Sequence, residues 1–92
     1  MANFVIKKNG ERVPFDSEKI KNGIMAAALR AGLSDQEATD ITGKVLSSVN
    51  MAFEGQEEVA TTEIRDKILS ELDESQSAVA QSWRKYEESK GG

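Results

Sequence analysis

The sequence predicts an α+β fold, in which a short N-terminal β-hairpin precedes about four helices. Two observations predict it. Two β-favouring segments flank an Asn9-Gly10 turn signal near the start of the chain. From Ile20 onward, the apolar residues recur at the three- and four-residue spacing of helices. Since 92 residues suffice for one modest core, we expect one domain over residues 1–92, folded at about 4–88 and frayed at 89–92.

The predicted hairpin occupies residues 4–15. Residues 4–8 favour a strand, Asn9-Gly10 is a strong hairpin turn signal, and Arg-Val-Pro-Phe at 12–15 makes a short second strand. Because Pro14 has no backbone N–H to donate, its strand belongs at an edge or an end of the sheet.

Capping signals delimit the first two helices. Asp16 or Ser17 caps the first helix, and Gly32 ends it. The second helix is predicted to begin at about Asp35, because Ser-Asp-Gln-Glu at 34–37 is a capping box, and to end near Gly55. The buried stripes at helical spacing are Ile20, Ile24, Ala27, Ala28 and Ala31 in the first helix and Ile41, Val45, Val49, Ala52 and Phe53 in the second.

The second half of the chain is predicted to be mainly helical. Residues 57–60, Glu-Glu-Val-Ala, form either a short third strand or a loop, and Thr61 or Thr62 then caps a third helix. A single helix from there to about Glu88 would be about 40 Å long, which is long for so small a domain. We therefore expect a break near residues 73–75 and a fourth helix after it. The buried residues of these two helices are Ile64, Ile68, Leu69 and Leu72, followed by Val79, Trp83 and Tyr86.

Composition excludes several kinds of chemistry. The chain has no histidine and no cysteine, which removes the commonest general base, the usual zinc ligands, thiol nucleophiles and disulfides. It also lacks a P-loop and a calcium loop, and its acidic pairs fall where carboxylates are usually solvated. We therefore predict that the chain is not an enzyme. Its net charge of -4 argues against direct nucleic-acid binding, and the absence of a long apolar run or a secretory signal predicts a cytoplasmic protein with no membrane contact.

The N-terminal third is locally basic and is the strongest candidate for a binding site. Residues 1–30 hold six basic and three acidic side chains, whereas the remaining 62 residues hold six and thirteen. Lys7 and Lys8 are predicted to point to opposite faces of a strand, so a ligand that contacts both would sit over the strand end or edge. Lys19 lies in the first turn of a helix, where a cation is unfavourable without an anion nearby. The alternative is a solvated basic surface without a ligand.

Four motifs in order resemble the ATP-cone domain family. They are Val5-Ile6-Lys7-Lys8-Asn9-Gly10, then Val13-Pro14-Phe15-Asp16 followed by Lys19-Ile20, then Val59-Ala60-Thr61-Thr62-Glu63-Ile64, and finally Trp83-Arg84. The resemblance covers nearly the whole chain. It implies a helical bundle covered by a small sheet, which binds ATP or dATP as an allosteric effector, with or without Mg²⁺. It also implies a link to ribonucleotide reductase control, through a reductase catalytic subunit or the rest of a larger parent chain.

The resemblance also assigns roles to individual residues. It implies that lysines hold the phosphates, that Thr61 contacts the nucleotide, that apolar side chains line the adenine side, and that Arg65 takes the place of a polar contact. The predicted site residues are Val5, Lys7, Lys8, Phe15, Lys19, Ile20, Thr61 and Arg65. Two residues depart from the family pattern, since Lys8 replaces an arginine and loses its bidentate fork, and Trp83 replaces a tyrosine.

A second hypothesis comes from the acidic part of the chain. The stretch from Glu54 to Glu74 is rich in carboxylates, which is typical of a helical surface that docks a basic protein partner. In that case the nucleotide would play no part. A partner captured equally well with and without ATP would favour this hypothesis over the nucleotide-binding one.

Overall fold

The computed structural model describes residues 3–89, except for the side chains of Tyr86, Glu87 and Ser89. Within that range, the chain forms three short strands and four helices, which confirms the predicted α+β class. The elements are β1 (Phe4–Ile6), β2 (Arg12–Pro14), α1 (Ser17–Arg30), α2 (Asp35–Ala52), β3 (Glu58–Ala60), α3 (Thr61–Ser75) and α4 (Ser77–Ser89). Apart from Ser89, which ends α4, the predicted frayed tail lies outside the described residues.

The three strands form one sheet in the order β2-β1-β3. β2 runs antiparallel to β1, with Arg12 opposite Ile6, and the proline-containing strand lies at an edge as predicted. β3 runs parallel to β1 on its other side, with Ala60 opposite Ile6. Residues 57–60 therefore contribute a strand rather than a loop, and the chain between β1 and β3 supplies the first two helices.

The two faces of the sheet differ in chemistry. The inner face carries Val5, Val13 and Val59, which are paired with one another across the sheet. Val59 is buried in the core and Val5 packs against it. The outer face carries the alternate residues of each strand and points away from the bundle. One sheet face thus covers the helices, and the other is in contact with solvent.

The helices pack in a ring, because α1 contacts α2 and α4, and α3 contacts the same two helices. All the buried stripes predicted for α1, α2 and α3 reach the core or its border except at Ala52, which is exposed. That prediction was wrong because α2 ends at Ala52 and the next residue, Phe53, turns into the core at 8% exposure. Trp83 is 5% exposed and packs in the core, whereas the predicted burial of Tyr86 lies outside the described side chains.

Both ends of α1 and the start of α2 follow the predicted local signals. Asp16 caps α1 by accepting a hydrogen bond from the Glu18 N–H. Ser34 and Glu37 form a reciprocal capping box, and the hydrogen bonds from the Ser34 backbone and side chain lower the pKa of the Glu37 carboxyl. Gly32 follows α1 with a φ of +97°, a conformation that suits glycine because it has no Cβ.

The break predicted near residues 73–75 is confirmed and lies at the last of these residues. α3 ends at Ser75, and Gln76 departs from the helical conformation, with φ at -150°, before α4 begins. Val79 and Trp83 of α4 then fold back onto the bundle instead of extending away from it. None of the described helices is both long enough and apolar enough to cross a membrane.

Candidate functional site

The two adjacent lysines lie at the turn of the hairpin. The Gly10 N–H donates to the Lys7 carbonyl at 2.8 Å, and the Lys7 N–H donates to the Glu11 carbonyl at 2.8 Å. Gly10 has a φ of +87°, which closes this turn without steric cost. Both lysines follow β1 and are exposed. The prediction that they alternate between the faces of a strand was therefore wrong, because Lys8 belongs to the turn.

The start of α3 lies beside this turn. β1 and β3 are parallel and Ile6 pairs with Ala60, so the residues that follow them, Lys7 and Thr61, leave the sheet at the same end. The Thr61 hydroxyl donates to the Ile6 carbonyl at 3.1 Å. This hydrogen bond joins residues 55 positions apart and ties the first residue of α3 to the strand that leads into the lysine turn.

The prediction that Thr61 or Thr62 caps α3 was wrong. The strand β3 runs into α3 without a linker, so Ala60 is the N-cap and Thr61 is already helical. An alanine side chain cannot accept a hydrogen bond from the first-turn N–H groups. The Glu63 carboxylate accepts from the Ala60 N–H at 3.0 Å, which is only one half of a capping box. The positive end of α3, which lies beside Lys7, is thus left without an N-cap side chain.

Lys7 has a carboxylate neighbour that sequence reasoning missed. Its Nζ lies 3.6 Å from Glu11 Oε1, across the turn, and the two side chains are 52% and 58% exposed. The signal was the four-residue spacing of opposite charges around Asn9-Gly10, since the two ends of a hairpin turn face each other. Because the pair is solvent-exposed, its strength is about 0–1 kcal/mol, and an anionic ligand can compete for the lysine.

The third predicted lysine, Lys19, lies on the helix that follows the opposite end of the sheet. Pro14 pairs with Phe4, so the chain leaves β2 at the opposite end from Lys7 and passes through Phe15 into α1. Lys19 is the third residue of that helix, as predicted, and its side chain is exposed. The first and last Cα atoms of a three-residue strand are about 7 Å apart. A nucleotide is longer than this separation and can therefore span both ends of the sheet.

The apolar candidates lie at the border of the core. Val5, Phe15 and Ile20 are partly buried, and all three pack against the border of the core. They offer an apolar surface that is incompletely covered by the protein, which suits the flat face of a base. Arg65 is partly buried on α3 and follows Thr61 by four residues, so both lie on the same side of that helix.

Two surface cavities lie away from these residues. One of about 430 Å³ is lined by residues of α2 and the α3–α4 junction, including Glu37, Asp40 and Glu74. The other, of about 350 Å³, lies between the end of α1 and α4 and includes Arg30 and Lys85. Three carboxylates against one lysine, Lys44, make the first cavity a poor site for a polyphosphate. The described residues contain no group of three or more His, Cys, Asp or Glu side chains arranged to hold a metal ion.

Comparison of the sequence with known protein families finds a match over nearly its whole length. The sequence profile of the ATP cone domain matches residues 3–90. The chain belongs to the ATP-cone family. The match covers all four elements that carried the resemblance, from the lysine hairpin to Trp83-Arg84.

Curated relatives of this ATP-cone chain are named transcriptional repressor NrdR. The protein from Pediococcus pentosaceus is 40% identical over 73 residues, which is 76% of this chain and 45% of the relative. The protein from Thermosipho melanesiensis is 33% identical over 69 residues, 75% of this chain and 44% of the relative. That from Streptococcus equi subsp. zooepidemicus is 33% identical over 70 residues, 76% and 42%. The chain thus spans less than half the length of these relatives.

Proposed function

We propose that this chain is a regulatory module that binds ATP or dATP as an allosteric effector and does not hydrolyse it. The observation that carries the proposal is the convergence of the lysine turn on the uncapped start of α3, held by the Thr61–Ile6 hydrogen bond. Ammonium groups and helix-start N–H groups together are a recurring arrangement for binding phosphates. Membership of the ATP-cone family supports the same ligand.

Each predicted residue has a role in this proposal. Lys7 and Lys8 bind the phosphates at the α3 end of the sheet, where the first-turn N–H groups add positive potential. Lys19 reaches the ligand from the α1 end. Val5, Phe15 and Ile20 contact the base from the inner side of the sheet, and Thr61 holds the α3 end in position while Arg65 supplies a polar contact one turn further on. Mg²⁺ accompanies the phosphates and takes its ligands chiefly from them and from water.

In this proposal, the target that the module regulates lies outside the residues that the structure describes. The relatives named transcriptional repressors are more than twice as long as the region they share with this chain. We propose that nucleotide binding controls either the rest of a larger parent chain or a partner subunit, in the regulation of ribonucleotide reductase. The prediction against nucleic-acid binding was drawn from the charge of these 92 residues. Because the relatives are named transcriptional repressors, the prediction against nucleic-acid binding should not be extended to a longer protein that contains this domain.

Titration with ATP and with dATP tests the proposal. We expect saturable heat by calorimetry, together with amide chemical-shift changes at the lysine turn, the start of α1 and the start of α3. No response at millimolar nucleotide would contradict the proposal. Phosphate release from ATP above background would contradict its non-enzymatic part.

Two lysine variants locate the site. Lys7→Ala and Lys19→Ala each remove one charged hydrogen bond to phosphate, worth about 1.5–3 kcal/mol, so binding should weaken by about 10- to 100-fold. Lys21→Ala is the matched control, because Lys21 is also exposed on α1 and lies two residues from Lys19. Since all three side chains are exposed, Tm should stay within about 2 °C of the parent protein. An equal loss of affinity in Lys21→Ala would indicate nonspecific charge attraction instead of a site.

A further inference from the structure

The outer face of the sheet carries an interaction that joins all three strands. The Arg12 guanidinium of β2 lies over the Phe4 ring of β1, with its central carbon 3.8 Å from the ring centroid. The same group reaches β3, where its Nε lies 2.8 Å from Glu58 Oε2 and its Nη2 lies 3.9 Å from Glu57 Oε1. We call Arg12, Phe4 and Glu58 the cross-sheet clasp.

We propose that Arg12 is a positioning residue for nucleotide binding, because the clasp fixes the lysine turn against the start of α3. This inference rests on the proposed function. β2 and β3 are the outer strands and do not pair with each other, so side chains must connect them across β1. Arg12 is opposite Ile6, the last residue before Lys7, and the strand that holds Glu58 runs directly into α3. The clasp therefore connects the lysine turn to the start of α3, which bind the same nucleotide in the proposed function.

The clasp is placed to affect local order more than global stability. The Arg12 and Glu58 side chains are 48% and 47% exposed, so water screens their attraction, and an exposed cation–π contact is also weak. A hairpin with strands of only three residues has little stability of its own, however. A small loss is enough to raise the fraction of molecules in which the hairpin is undocked.

Local undocking translates into weaker binding. If only the docked hairpin presents Lys7 and Lys8 beside α3, the apparent dissociation constant increases in inverse proportion to the docked fraction. The helical core does not depend on the clasp. The core packs against the inner face of the sheet, which carries the valines, whereas the clasp lies on the outer face. Loss of the clasp should thus change nucleotide affinity and hairpin exchange without a matching change in Tm.

Arg12→Met tests the inference, because methionine keeps much of the apolar stem and removes the charge. Hydrogen exchange without nucleotide should accelerate about 3- to 10-fold at amides that join the hairpin to β3 and its preceding residue, such as Phe4, whose N–H donates to the Glu57 carbonyl at 3.0 Å, with helical amides unchanged. ATP should bind about 2- to 3-fold more weakly, because faster exchange and weaker binding share one change in the docking equilibrium. Arg84→Met is the matched control, since Arg84 makes a comparably exposed ion pair with Asp73, between α4 and α3, at 3.1 Å. It should leave both readouts unchanged.

A second set of variants separates the clasp from a merely structural effect. Glu58→Gln should reproduce part of the Arg12→Met phenotype, and the double variant should be no worse than Arg12→Met alone, because both changes break one interaction. Arg12→Lys keeps the charge but loses the planar fork, so it should restore affinity only in part. These conservative variants also decide the matter if Arg12→Met does not fold.

The possible outcomes separate this inference from the proposed function. Unchanged hairpin exchange in Arg12→Met and Glu58→Gln would overturn the clasp. Faster exchange with unchanged ATP affinity would overturn the positioning role. If the parent chain binds neither ATP nor dATP, the proposed function and the positioning role both fail, whereas the exchange measurements still decide whether Arg12 holds the hairpin to β3.

Discussion

Thr61→Val is the substitution that most directly tests how the two halves of the candidate site are joined. Valine has nearly the shape of threonine but lacks the hydroxyl that donates to the Ile6 carbonyl at 3.1 Å. A neutral hydrogen bond of this kind stabilises a fold by about 1 kcal/mol. For a domain of 60–100 residues, that loss lowers Tm by about 4–8 °C. Because the bond is only part-buried, water can replace it in some measure, and we expect the lower half of that range.

The assay is thermal unfolding followed by circular dichroism, with two companion variants. Thr61→Ser keeps the hydroxyl and should restore most of the Tm. Thr62→Val makes the same chemical change one residue later, at an exposed position in the same helical turn, and should change Tm by no more than about 2 °C. Calorimetry with ATP should show weaker binding by Thr61→Val than by Thr61→Ser, because only the serine can keep α3 tied to β1.

Two results would refute this reasoning. Equal Tm values for Thr61→Val and Thr62→Val would mean that the hydrogen bond to Ile6 adds nothing to stability. Equal losses in Thr61→Val and Thr61→Ser would assign the effect to the methyl group, and hence to packing instead of the tether.

Four further substitutions test single features of the structure. Glu11→Gln removes the carboxylate that competes for Lys7, so calorimetry should show ATP binding that is up to about fivefold tighter. Thr42→Val replaces a hydroxyl that is buried without a hydrogen-bond partner, and the free energy of unfolding in urea should rise by about 1 kcal/mol. Glu37→Gln should lower Tm at pH 7, and the difference from the parent protein should shrink as the pH falls below the ordinary glutamate pKa of about 4.3 and through the lowered pKa of Glu37, because the capping hydrogen bonds stabilise the carboxylate form. Ala60→Ser completes a capping box, so it should raise Tm by several degrees and weaken ATP binding by occupying the first-turn N–H groups of α3.

The parts of the fold that could be predicted are those with local causes. The capping box depends only on the four consecutive residues 34–37, and α2 begins at the residue that this motif predicts. The proline of β2 directly restricts that strand to an edge. The break after Ser75 followed from helix length alone, although neither glycine nor proline marks it.

The parts that could not be predicted depend on contacts between distant residues. Residues 57–60 offer one inward apolar side chain, Val59, and become a strand only because β1 lies beside them. The parallel register then decides that Thr61 follows the same sheet end as Lys7. Its hydroxyl accordingly reaches Ile6 and does not cap its own helix. The position of Lys8 in the turn likewise depends on the hairpin register, which two β-favouring segments leave open.

The first three helices differ in how well the residues at their starts stabilise them. α2 has a serine N-cap and two acidic residues in its first turn, one of which is the reciprocal glutamate, so its helix start meets these local preferences. α3 begins at an alanine N-cap, which costs about 1 kcal/mol relative to serine, and α1 carries Lys19 in a turn that favours acids. Both departures occur at helices that enter from the sheet, and an anion at those two starts would offset both costs. Departures from local rules are expected where function requires them, which is why the same two helix starts are the places to look for the phosphates.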